Sequence, residues 1–208
     1  MNARAKFRLG LLMVTGGLLV SSCSLVPQAQ PDPTRFFVLS AMTSSPPPVP
    51  AGKAPVVHLR QVELAGYIKA KPIIVRRGDH EIEFREFARW GEPLELGIGR
   101  VLREDLVGRG AAGAVLAGGV RATEVDPDFT LVVRVLACEG GANGAVLFRA
   151  VWELATTGGA PKVVARGDVQ PGDLRWDGKN EAALVAQLSK AVGALTDDVA
   201  GGIARSGK

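Results

Sequence analysis

Between Phe129 and Ala137 the chain reads FTLVVRVLA, and this run limits the fold more than any other stretch. Phe129, Leu131, Val133 and Val135 take one face of an extended strand, and Val132, Arg134 and Leu136 take the other. That is the period-two pattern of a β-strand. Gly140-Gly141-Ala142-Asn143-Gly144 then turns the chain, and Ala145–Ala155 (AVLFRAVWELA) returns as its antiparallel partner. Gly158-Gly159-Ala160-Pro161 turns it again, into a third strand over Lys162–Val169. A meander of this kind carries an apolar face that something must cover. The cover is at hand: Leu184, Leu188, Val192, Leu195, Val199 and Ile203 recur at helical spacing as one apolar stripe. Its polar side (Gln187, Lys190, Asp197, Asp198) is neither strongly basic nor edged with aromatics, so packing on the sheet fits it better than a membrane surface or a coiled coil.

Upstream, Thr34–Leu39 (TRFFVL) predicts a first strand, and Ser44–Pro55 (SSPPPVPAGKAP) a stiff surface connection. Val56–Leu64 alternates, Ala65-Gly66-Tyr67 breaks the run, and Pro72–Arg77 resumes it before the Gly78-Asp79 turn. Glu81–Arg85 alternates polar and apolar as a half-solvated strand. Phe87–Pro93 then leads into a helix, with Pro93 in its first turn. Leu94, Ile98, Val101, Leu102 and Leu106 give that helix its apolar face, Gly108 or Gly110 ends it, and Arg100, Arg103, Glu104 and Asp105 are expected on its wet side. Ala114–Ala117 reads as a short further strand. The fold expected is α+β, a single domain over residues 34–208, with two amphipathic helices packed on a mainly antiparallel sheet.

The N-terminus has a different design. Arg4, Lys6 and Arg8 precede an apolar run, Leu9–Val20, and Ser21-Ser22-Cys23 closes it. The run has the length of a signal-peptide core and falls short of the roughly 20 residues that span hydrocarbon. Val20-Ser21-Ser22-Cys23 resembles a bacterial lipobox. Residues 1–22 are then a cleaved lipoprotein signal peptide, Cys23 is the lipid-attachment residue, and residues 23–33 are a flexible tether. An ordinary secretory signal with an incidental cysteine, or a short uncut anchor, is the competing reading. Ser24 stands where an aspartate would favour inner-membrane retention, so the expected address is the periplasmic face of the outer membrane.

Export changes how the charge is read. The chain has 25 Lys and Arg against 21 Asp and Glu, but the signal segment holds three of the basic residues and no acid. What remains is nearly neutral and lacks the clustered basic face of a nucleic-acid binder. Cys138 has no partner left for a disulfide and sits in the alternating run, which points to a buried thiol. His58 and His80 lie far apart without metal-ligand spacing. There is no G-x-S-x-G nucleophile motif, and no glycine cluster carries the Lys-Ser/Thr of a phosphate loop. Neither an enzyme nor a cofactor or metal site is expected.

The segment from Val62 to Leu106 is the most individual. Leu64-x-x-Tyr67 is followed by Lys71-Pro72-Ile73-Ile74-Val75-Arg76-Arg77, then by Ala88-Arg89-Trp90-Gly91-Glu92-Pro93-Leu94, then by Ile98–Leu106. In that order these residues closely resemble the PqiC-type family, auxiliary lipoproteins of ABC transport systems, and Thr34–Leu39 matches the family's first strand. The loop Gly66–Ala70 departs from it, since many relatives carry a more acidic or Arg-containing loop there. The resemblance implies a non-catalytic subunit that works with an MCE-domain protein and an ABC permease and ATPase in lipid transport, keeps the envelope intact, and forms a homo-oligomeric ring. It singles out Tyr67, Arg89 and Trp90 as residues that either contact a partner or specify the fold. Two other classes stay open: a periplasmic lipid carrier with its own cavity, and a structural lipoprotein of another envelope machine.

Overall fold

The structure is a computed structural model that describes residues 30–42, 54–117 and 126–207, so Cys23, the signal segment and most of the tether lie outside the described residues. Its spine is a strand of thirteen residues, β7 (Phe129–Gly141). The alternation seen in the sequence decides its faces: Leu131, Val133 and Val135 are fully buried, and Arg134 is exposed. Along one edge β7 pairs antiparallel with β8 (Val146–Thr156), which pairs antiparallel with β9 (Val163–Val169). The turn between β7 and β8 places Gly144 at φ +80°, a conformation that only glycine adopts without strain.

The other edge of β7 is shared by three short strands in succession, all parallel to it. β2 (Val56–Leu59) lies beside Phe129–Leu131, β3 (Glu63–Leu64) beside Arg134 and Val135, and β4 (Pro72–Arg76) beside Gly140 and Gly141. β6 (Ala114–Ala117) extends β2 in parallel. β5 (Ile82–Trp90) extends β4 antiparallel, and β1 (Arg35–Phe37) joins β5 in parallel. The α+β single domain is as expected, but the sheet is mixed and curled rather than mainly antiparallel. Alternation marks which residues are extended without fixing strand direction. Direction follows from the connection, and here more than fifty residues separate β4 from β7, ample for a parallel return.

A second departure lies within β7. Its register with β8 shifts between Val135 and Ala137, so Leu136 is a bulge. One extra residue exchanges the two faces of a strand. Beyond it Cys138 turns into the core, 3 % exposed, and burial pushes its thiol up to about 12. The bulge therefore explains a buried thiol that strict alternation would place on the opposite face.

Two helices cover one side of the sheet. α1 (Leu94–Gly108) lays Gly99 against Leu59, whose sheet neighbour is Leu131. α2 (Glu181–Ser206) packs over Trp152, the cross-strand neighbour of Val133 on that same face. Pro93 is the N-cap of α1 rather than part of its first turn, and β5 runs through to Trp90 where a lead-in to the helix was expected. α1 ends in a Schellman motif: Ala111 donates to Leu106 O at 3.0 Å, Gly110 donates to Val107 O at 2.9 Å, and Gly110 takes φ +68°. Asn180 caps α2 by accepting from Ala182 N at 3.0 Å. Asp105, expected on the wet face of α1, is fully buried. Its Oδ1 accepts from Met42 N at 2.9 Å, and Arg109 beside it reaches Asp197 of α2 at 2.5 Å. Asp105 and Arg109 together tie the two helices to each other and to the chain after β1.

Trp152 shows how closely α2 sits. Its indole N–H donates to Asp198 Oδ2 at 2.8 Å, and its ring lies against Gly167 of β9 and Gly202 of α2. Glycine inside a helix ordinarily costs about 0.5–1 kcal/mol relative to alanine. At Gly202 a methyl would collide with the Trp152 ring, whereas at Gly201 it meets only the flexible end of Arg205 at 3.3 Å. Gly202→Ala should therefore lower stability by about 1–3 kcal/mol through overpacking. Gly201→Ala should leave it unchanged or raise it by up to about 1 kcal/mol. Urea melts of the two variants side by side check the signs. If both variants were stabilised, the packing of Trp152 on α2 would be refuted.

Candidate interaction surfaces

With both helices on one side, the other face of the sheet lies open. Cross-strand pairing places Val132 opposite Glu153, and Arg134 opposite Val151. Glu153 in turn faces Arg166, and Val151 faces Asp168. Together they form a groove of about 440 Å³ with an apolar floor, Val132 and Val151, walled by both signs of charge. A second open groove of about 590 Å³, bounded by His58, Glu63 and Lys69, shares Val132 with the first. The ion pair between Arg134 and Glu63, 2.9 Å long and exposed on both sides, joins the two. Arg149 holds Asp168 in a bidentate pair at 2.7 and 3.1 Å, which keeps the Asp168 carboxyl below its ordinary range. Exposed pairs of this kind add little to stability. They place charge of both signs around an apolar floor.

Tyr67 sits on a short 3-10 turn, Gly66–Lys69, where its hydroxyl donates to Leu136 O at 3.3 Å, the carbonyl of the bulge. Arg76 stacks over the Tyr67 ring, 5.6 Å from its centre, and its Nε donates to Glu139 Oε1 at 2.6 Å. The Glu139 side chain is completely buried. Burial first, and the Glu139 carboxylate second, push the Tyr67 hydroxyl above its ordinary range; the hydrogen bond that Arg76 donates to Glu139 likewise raises Arg76. The cluster pins the turn after β3 onto the bulge of β7. Arg76 belongs to the Lys71–Arg77 motif, but Glu139 is marked by none, and nothing in the sequence pairs the two because their meeting depends on the bulge.

The other residues singled out lie apart from it. Trp90, 7 % exposed, closes β5 on the helix side, and its backbone N–H donates to Lys71 O at 2.8 Å. Arg89, one residue earlier, points to the opposite face and is exposed. Cys23 lies outside the described residues. Among the described residues no three His, Cys, Asp or Glu side chains are grouped to hold a metal ion, and no helix is long and apolar enough to cross a membrane.

A curled mixed sheet with helices on one face and a charge-rimmed groove on the other defines a single α+β domain. Over residues 37–200 the chain matches the model of the ABC-type transport auxiliary lipoprotein component, and it belongs to that family. The family is an auxiliary component of transport rather than a class of enzyme. Solved structures share the fold. A DUF330-family protein of Xanthomonas campestris aligns with a TM-score of 0.67 at 17% identity, over 81% of this chain and 93% of its own. The crystal structure of an uncharacterized protein aligns with a TM-score of 0.61 at 16% identity, over 80% and 96%. No curated protein matches the chain.

Proposed function

We propose that this chain is the membrane-anchored, non-catalytic auxiliary subunit of an ABC transport system of the MCE type, which moves lipids and keeps the envelope intact. Family membership over residues 37–200 is the observation that carries the reading. In it residues 1–22 are removed as a signal peptide, Cys23 bears the lipid, residues 23–33 are the tether, and the domain stands at the periplasmic face of the outer membrane. The open groove around Val132 and Val151 docks the MCE-domain partner, and a ring of copies presents several such grooves at once.

The packing favours this reading over a lipid carrier. The space between sheet and α2, where a carrier would hold an acyl chain, is filled by Leu184, Leu188, Val192, Leu195 and Val199, all fully buried. Deleting the gene should sensitise the cell envelope to detergents, and the intact gene supplied in trans should restore resistance. Minimum inhibitory concentrations of sodium dodecyl sulfate check this; wild-type resistance in the deletion strain would remove the envelope-maintenance role.

A further inference from the structure

Four exposed large apolar side chains lie at one edge of the sheet, on β1, just after it and on β5, while others such as Leu96 and Val163 lie elsewhere. Phe36 is 68 % exposed, Val38 51 %, Phe84 49 % and Phe87 46 %. Phe36 on β1 pairs with Arg89 on β5, and Phe37 pairs with Trp90. From Phe87 to Trp90 the residues alternate exposed, buried, exposed, buried. Phe36, Phe87 and Arg89 therefore share the face that the helices leave bare. Val38 belongs with them, because a Cβ on Gly91 would sit 3.2 Å from Val38 Cγ1 and 3.8 Å from Phe36 Cβ. Two exposed cations lie beside it: Arg89 on β5, and Lys71, whose carbonyl accepts from the Trp90 backbone N–H and whose neighbour Pro72 pairs with Arg89. Glu86 is the nearest acid along β5.

We propose that this aromatic and basic edge inserts into the surface of the phospholipid bilayer, a second contact beside the acyl anchor. The proposal rests on the reading of Cys23 as the lipidated residue. β1 is where the chain enters the domain: Ser24–Thr34, eleven residues, separate Cys23 from Arg35. Fully extended, that length reaches about 40 Å, so the anchor holds Phe36 within reach of the bilayer it occupies. A tether this short gives effective concentrations on the order of millimolar, at which a weak interfacial contact is populated. Phenylalanines placed among Lys and Arg suit the headgroup boundary of an anionic leaflet. A second copy of the chain suits the edge less well. Its own Lys71 and Arg89 would oppose these two cations, and four side chains fall far short of the roughly 1,200 Å² that a stable dimer buries.

The test uses the full lipidated chain, reconstituted into vesicles of phosphatidylethanolamine and phosphatidylglycerol. Phe36→Cys and, as a control on α1, Leu96→Cys each carry a bimane label; buried Cys138, its thiol pushed up to about 12, does not compete for it. Both proteins should float with the vesicles. Lipids brominated near the carbonyl end should quench the label at position 36 about two-fold, the depth of an interfacial side chain being about 5–10 Å, and leave the one at position 96 unquenched. Flotation with equal, negligible quenching at both positions overturns the bilayer contact and leaves the anchor standing. A blue-shifted but unquenched label at position 36 also overturns it, in favour of a protein neighbour. Failure of both proteins to float refutes the anchor, and the proposal falls with it.

Discussion

Cys23→Ser should release the protein from its membrane while leaving the domain as stable as before. Each buried methylene of an acyl chain contributes about 0.8 kcal/mol. One chain binds only reversibly, whereas two or more hold a protein in place. Bacterial lipoproteins carry three, so under the proposed lipidation of Cys23 loss of the thiol removes nearly all of the attachment. Among the described residues no helix could replace it. An edge bearing Phe36 and Phe87 would bind only weakly once the lipid no longer concentrates it at the surface. The fold does not depend on Cys23, since residues from Thr34 onward form a unit of their own. Density-gradient fractionation of envelopes should show wild type in the outer-membrane band, and the variant in the soluble fraction or as uncut precursor. A variant that stayed in the outer-membrane band would mean that another segment anchors the chain.

Arg76→Ala should be among the most damaging single changes in the domain, on the order of 3–5 kcal/mol, although Arg76 itself is partly exposed. The cost falls on Glu139. Its side chain is completely buried, its carboxylate accepts from Arg76 at 2.6 Å, and truncating Arg76 leaves that charge in the core without the cation that offsets its desolvation. The Tyr67 ring loses its stacked guanidinium at the same time. For a domain of this size the melting temperature should fall on the order of 10 °C. Replacing both partners, Arg76→Met with Glu139→Leu, should recover most of the loss, because a buried pair removed whole leaves no uncompensated charge. Calorimetry on the single and double variants checks the account. A single variant within about 0.5 kcal/mol of wild type would show that the pair is energetically idle.

The elements were legible in the sequence wherever period and burial coincide. The meander from Phe129 to Val169 and the stripe from Leu184 to Ile203 declared themselves because one face of each is buried and the other is not. Direction and register were less accessible. Nothing in Val57, Leu59 or Ile74 says that β2 and β4 run parallel to β7, since that depends on where the intervening chain travels. Leu136 gives no sign of a bulge, yet the bulge turns Cys138 inward and presents the carbonyl that Tyr67 meets. Asp105 reads as a surface residue on a helical wheel and is buried only because Arg109 and the chain after β1 close over it. The open groove was half visible: alternation assigned Val132 and Arg134 to the face opposite Val133. That this face stays bare required both helices to choose the same side.

The central claim is that the domain is a docking subunit held at a membrane. Affinity purification of the tagged, lipidated protein from crosslinked envelopes tests it most directly, with Val151→Glu, which puts a charge on the floor of the groove, run in parallel. The account predicts that wild type recovers an MCE-domain protein with its permease and ATPase. It also predicts that Val151→Glu, folded and membrane-bound, recovers them at least about ten-fold less, as expected when the desolvated centre of an interface is disrupted. Recovery of peptidoglycan-bound or secretin components instead, or of none of these partners, would contradict it.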